Sequence, residues 1–141
     1  FFCAGAIMVA AHKTEIHQLD GLGRRMPFTF AAYFLGSLSI IGLPPTGGAW
    51  SKWYLVLGAA EGHHLVFVAV LMLSSLLSIG YLMPVVVRGF FREPPVEDRD
   101  ADIHEASPAM VVPLCLTAVG SVGLFFFAPR IRELLLPIVG G

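Results

Sequence analysis

Leu43-Pro-Pro-Thr-Gly-Gly-Ala-Trp-Ser-Lys-Trp-Tyr-Leu55 interrupts a long apolar run, and its reading decides the fold. Lys52 follows a double proline and a double glycine and is the only charged side chain inside the apolar segments. Pro44 and Pro45 remove two backbone donors and clash with the preceding turn, so a continuous helix does not run through them. An ammonium group in hydrocarbon costs roughly 2.5–3.5 kcal/mol on insertion scales unless it faces a bundle interior or water. Broken backbone at that depth is tolerated only where it is packed in protein or lines a wet cavity. A lone lysine beside a break formed by Gly42, Pro44, Pro45, Gly47 and Gly48 therefore reads as part of an ion pathway.

The rest of the chain supports a membrane class. Charged residues make up 13 % of the 141 and hydrophobic residues 56 %, against about 25 % charged in a soluble domain. A net charge of −1 gives no reason to expect nucleic acid as a partner; the expected surroundings are a lipid bilayer. Cys3 and Cys115 lie in separate apolar runs without a C-x-x-C or histidine partner and read as buried free thiols. The chain opens at Phe1 inside an apolar run with no basic region before it, which is not a signal peptide and reads as the tail of a longer polypeptide. No P-loop, dinucleotide fingerprint or metal-ligand spacing is present, so no cofactor or metal is expected here. Catalytic redox chemistry, if there is any, belongs to another subunit.

Four apolar segments emerge. Residues 1–11 are too short to span and read as part of a helix. Residues 26–60 are apolar except for Lys52, and as one helix these 35 residues would measure ~52 Å. The hydrocarbon core is only about 30 Å thick, a second reason to break the segment. Residues 65–87 are apolar and belong to a span at 65–90 with Pro84 near its end, and 108–128 form a last span closed by Pro129, Arg130 and Arg132. The fold expected is all-α, a polytopic transmembrane helical bundle with one broken helix, with helices near 26–42, 49–60, 65–90 and 108–128.

The connections 12–25 and 91–107, taken with Arg88, hold Lys13, Arg24, Arg25, Arg88, Arg92 and Arg99; the opposite side has Arg130 and Arg132. That excess places both connections in the cytoplasm, and the acids Glu93, Glu97, Asp98, Asp100, Asp102 and Glu105 weigh little in this rule. Lys52 keeps two readings: a member of an ion path, or a lysine whose stem is buried while its head reaches the headgroups. On helical spacing it shares a face with Gly48, Ala49, Leu55 and Val56, directed at protein or a polar crevice. Trp50, Trp53 and Leu57 point elsewhere, toward lipid or another chain. His12, His17, His63 and His64 read as solvated surface histidines, with a proton relay at a channel mouth as the minority reading. Ser74, Ser75 and Ser78, like Gly36, Ser37, Gly80, Gly120 and Gly123, read as small residues that allow close helix packing.

The run Gly21-Leu-Gly-Arg-Arg-Met-Pro27, followed by Gly42-Leu-Pro-Pro-Thr-Gly-Gly-Ala-Trp-Ser-Lys-Trp-Tyr54, resembles the antiporter-like subunits of the proton-conducting membrane transporter family. That family includes Mrp-type multisubunit Na+/H+ antiporters and the proton-pumping membrane subunits of respiratory complex I. Tyr81-Leu-Met-Pro84, Arg88-Gly-Phe-Phe91 and Ser107-Pro-Ala-Met-Val-Val-Pro113 resemble the D-type subunits of Mrp antiporters most. Ala49 departs from the family's usual Phe. The resemblance implies a protein of about fourteen transmembrane helices with broken helices near the midplane, of which this stretch is the C-terminal part. It implies upstream helices of the same polypeptide and other membrane subunits as partners, and protons with Na+ as the ions moved. It also implies that Lys52 ends a midplane chain of lysines and a glutamate. Desolvation disfavours an ammonium ion, so such a lysine can take a proton from one neighbour and release it to water.

Overall fold

The computed structural model describes residues 1–96 and 102–139. Among them are five α-helices: α1 (Phe2–Ala11), α2 (Pro27–Ile41), α3 (Gly47–Glu61), α4 (Leu65–Phe91) and α5 (Pro108–Val139). Two short 3₁₀ turns, Ile16–Leu19 and Leu22–Arg24, lie between α1 and α2. Helices α4 and α5 are long and apolar enough to cross a membrane, and α1 and α2 are shorter apolar helices. Glu97, Asp98, Arg99 and Asp100, counted above for the second connection, lie outside the described residues.

Helix α2 starts at Pro27, whose fixed φ suits the first helical position and whose missing N–H would have had no partner there. It ends at Gly42 in the left-handed conformation (φ 87°), with the Gly42 and Leu43 amides both donating to Leu38 O, at 2.9 and 3.0 Å. Such a cap favours glycine because a Cβ there is strained. The chain then turns through exposed Leu43, Pro44 and Pro45 to buried Thr46, and helix resumes at Gly47. Gly47 and Gly48, assigned above to the break, instead form the first turn of α3. The last turn of α2 and the first of α3 lie side by side, since a Cβ on Gly48 would collide with Ser39 O. That overlap takes up the length by which residues 26–60, as one helix, would exceed a bilayer.

Helix α2 packs against both α4 and α5, and so does α3. Between helices in lipid there is little hydrophobic driving force, so close backbone approach and polar contacts decide the arrangement. Phe30 is fully buried among Ala6, Leu22, Met26 and Val85, with Phe90 edge-on at 6.0 Å. Gly89 lies directly under the Phe30 ring, where any side chain would collide. At this end Asp20 lies 3.7 Å from Arg88 and 3.5 Å from Arg92, and the Gly21 amide donates to Arg88 O at 3.0 Å. The connection before α2 is thereby fastened to the end of α4.

Helix α5 overruns its expected stop near Ala128 and continues through Pro129 to Val139. Pro129 has no N–H, so the Phe125 carbonyl one turn earlier loses its helical partner. The Trp50 indole supplies the replacement, donating to Phe125 O at 2.9 Å. Trp50 thus packs on α5 within this chain, with Tyr54 and Phe125 against its ring, and does not join Trp53 on the outer face.

The N-terminus of α2 is capped from far along the chain. Glu105 accepts hydrogen bonds from the Phe28 and Thr29 amides at 3.2 Å each, and from the Thr29 hydroxyl. A carboxylate satisfies two orphan donors at the positive end of the helix dipole.

Trp50→Phe is expected to destabilise the full-length protein in detergent by about 0.6–2 kcal/mol, the range for an interhelical hydrogen bond. In a Pro129→Ala background, which returns a helical N–H to Phe125 O, the same change is expected to cost measurably less, and equal costs would refute the pairing. Glu105→Gln keeps the shape but not the charge and is expected to lower stability by roughly 0.5–1 kcal/mol. Thermal unfolding of both variants against wild type checks this.

Candidate functional site

Lys52 lies in the second turn of α3, and its stem runs back over the break. A Cβ on Gly42 would sit 2.5 Å from Lys52 Cδ and 3.2 Å from Cγ. Gly42 is required twice, for its positive φ and for the room it leaves the lysine. Lys52 Nζ then donates to Ile41 O at 2.9 Å and to Ser75 Oγ at 2.7 Å. Ile41 is the last residue of α2 and is 3 % exposed. Its carbonyl has no helical partner, and it sits at the negative end of the α2 dipole, where a cation is stabilised. Ser75, from the middle of α4, donates in turn to Leu71 O at 3.1 Å. The ammonium is thus held among α2, α3 and α4.

The turn beside it is fixed by Thr46, which is fully buried and whose hydroxyl donates to Leu43 O at 2.7 Å. A second polar link, Ser121 Oγ to Ser39 Oγ at 3.2 Å, joins α5 to α2 near the same level. A groove of about 1150 Å³ runs between α3 and α5 past Gly48, Trp50, Tyr54 and Leu124, and Lys52 does not line it. A smaller cavity of about 460 Å³ opens between α3 and α4. Leu55 and Leu71 line it, one turn from Lys52 and Ser75 respectively, and its walls are apolar.

The residues singled out in the sequence separate into two groups. Gly42 and Gly48 meet Lys52 and α2 directly, and Pro44 and Pro45 form the exposed turn between the helices. His12, His17, His63 and His64 are all exposed, and none bonds to Lys52. His12 and His63 have φ of 54° and 56°, a left-handed conformation that histidine adopts more readily than most residues. His17 pairs with Glu15 at 3.1 Å, and His64 precedes α4 with its ring against Phe67. Cys3 and Cys115 are free and half-buried, packed against Ala32, Leu114 and Ala118. Among the described residues no three His, Cys, Asp or Glu side chains gather as metal ligands would.

Two of these side-chain contacts, those of Ser75 and Glu105, leave no distinctive signal in the sequence. A serine in a span can equally bond its own preceding turn, so Ser75 reads there as a packing residue. Glu105 reads only as one acid of a charged connection.

Residues 1–78 match the family described as NADH:quinone oxidoreductase/Mrp antiporter, TM. The chain is 37 % identical, over 93 % of its length, to NADH-quinone oxidoreductase subunit N of Desulforudis audaxviator, of which it covers 28 %. It is 33 % identical, over 99 % of its length, to NADH-quinone oxidoreductase subunit L of Mycobacterium tuberculosis, of which it covers 23 %. A similar protein from Rickettsia conorii, also named subunit L, is 31 % identical over 96 % of the chain, which covers 20 % of it. The chain therefore spans about a quarter of the length of these curated relatives. No solved structure matches. The matched residues contain both halves of the broken helix, the turn between them, Lys52 and Ser75, and the chain belongs to the NADH:quinone oxidoreductase/Mrp antiporter transmembrane family.

Proposed function

We propose that this chain is the C-terminal part of a proton-translocating, antiporter-like membrane subunit, and that Lys52 is its terminal proton-loading site. The observation that carries the reading is the seat of the ammonium group, on the Ile41 carbonyl and the Ser75 hydroxyl beside a helix break. Like charges repel strongly where water does not screen them, so a positive charge arriving on a neighbouring buried lysine would drive the Lys52 proton off. The alternative, a non-conducting scaffold with a snorkelling Lys52, asks the amine to reach outward to headgroups, whereas its bonds run back to α2 and across to α4.

The relatives support a setting. Their names, NADH-quinone oxidoreductase subunits N and L, favour a place in a redox-driven, multisubunit complex beside other membrane subunits. The narrower reading, the D-type subunit of an Mrp Na+/H+ antiporter, rests on the Tyr81–Pro84 and Arg88–Phe91 stretches and would add Na+ as the exchanged ion. In either case the upstream helices of the same polypeptide carry the preceding lysines and glutamate. The connections 12–25 and 91–107 face the cytoplasmic side of a bacterial inner membrane.

Proton flux in vesicles containing the complete complex tests the role of Lys52. Lys52→Ala, in a complex that assembles normally, is expected to lose flux, and wild-type flux would rule the role out. Dependence of that flux on Na+ marks the antiporter, and dependence on quinone reduction marks the redox-driven complex. Gly42→Ala retains the lysine but places a methyl group against its stem at a positive-φ position, a strain of roughly 1–2 kcal/mol. It is expected to lower flux in the assembled complex, and unchanged flux would show that the Gly42–Lys52 contact is dispensable.

A further inference from the structure

We propose that Ser75 is the positioning residue for Lys52, holding its amine in both protonation states; the proposal rests on the proton-loading role given to Lys52 above. Lys52 Nζ has two hydrogen-bond partners among the described residues, and they differ in kind. The Ile41 carbonyl only accepts. A serine hydroxyl both donates and accepts, and its hydrogen rotates to suit. Ser75 Oγ lies 2.7 Å from Nζ and 3.1 Å from Leu71 O, so it accepts from the ammonium while donating to the carbonyl one turn back.

The exchange between states balances without breaking any bond of the serine. The ammonium holds three N–H groups, one on Ile41 O, one on Ser75 Oγ and one for an incoming water. Transfer of that third proton to water gives a neutral amine and a hydronium ion. The amine keeps two N–H groups and gains a lone pair. Rotation about Cε–Nζ turns the lone pair toward Ser75, whose hydroxyl hydrogen swings from Leu71 O onto Nζ. Leu71 O retains its helical bond from the Ser75 amide, so this release leaves no orphan acceptor. Reloading reverses each movement. With Ile41 O alone, no protein group would donate to the lone pair of the neutral amine, and the charged form would have one fewer acceptor.

This role and the packing role of a small serine predict opposite mutational orders. If Ser75 serves only to let α3 and α4 approach, alanine is harmless and threonine is not. If the hydroxyl is what matters, threonine works, because it can keep the bond to the carbonyl one turn back. Valine has the shape of threonine without the hydroxyl, so the two separate chemistry from volume.

The experiment measures proton flux in vesicles carrying the full complex with Ser75→Ala, Ser75→Val, Ser75→Thr or Lys52→Ala, each normalised to the amount of assembled complex. Ser75→Ala and Ser75→Val are expected to slow flux roughly tenfold or more, the scale of one hydrogen bond to a charged group, with Ser75→Thr restoring most of it. Wild-type flux in Ser75→Ala while Lys52→Ala is inactive would overturn the role of Ser75 and leave that of Lys52 standing. Ser75→Thr as slow as Ser75→Val would equally overturn it. Wild-type flux in Lys52→Ala would remove the reading on which it rests.

Discussion

A helix that ends inside an apolar medium exposes backbone groups that cannot turn to water, and each one left unpaired costs several kcal/mol. Helix α2, only 15 residues long, has its C-terminal end in this predicament, and its N-terminal donors are also met by a side chain. At its start the donors of Phe28 and Thr29 are met by Glu105, and at its close the Ile41 acceptor is met by Lys52. An anion sits on the positive end of the dipole and a cation on the negative end, so both charges are stabilised by the helix they complete. The same logic explains α5. It passes through Pro129 because Trp50 takes the carbonyl that the proline abandons. At the end of α2 and at Pro129, a side chain from a neighbouring helix reaches the carbonyl left without a helical partner.

Lys52 consequently has two functions that are hard to separate. Its charge completes α2, and the same contact places an ionisable amine beside an interrupted backbone. The overlap of the two half-helices at Ser39 and Gly48 brings the amine level with the end of α2. A side chain on Gly42 would displace the lysine stem, so the glycine that ends one helix also aims the charge carried by the next. On the function proposed above, this geometry takes part in proton movement; the chain belongs to the NADH:quinone oxidoreductase/Mrp antiporter family and covers 28 % of a subunit N relative.

The elements legible in the sequence are those governed by backbone chemistry. Two consecutive prolines disfavour a continuous helix through 44 and 45, the apolar run is too long for one span, and Lys52 is the single charge within it. Helix α4 can be read from hydropathy alone. What stays hidden depends on which side chain meets which helix. The extension of α5 past Pro129 requires an indole from α3, and nothing near Pro129 announces it. Glu105 lies 77 residues from Phe28, so its capping role has no local signature. Ser75 is one of three serines on α4, and only the three-dimensional arrangement turns it toward the lysine. The separation of Trp50 from Trp53 has the same cause, since both are tryptophans on one short helix but only one faces a broken turn of α5.

Everything at the break turns on the lysine amine completing the C-terminal end of α2. An experimental structure of the full-length protein in its complex, at a resolution that places side chains, tests it most directly. The expected result is helix ending at Ile41, a non-helical turn before Gly47, and Lys52 Nζ within about 3 Å of the Ile41 carbonyl. Continuous helix through Pro44 and Pro45, or an amine directed into lipid with Ile41 O bonded elsewhere, would contradict it.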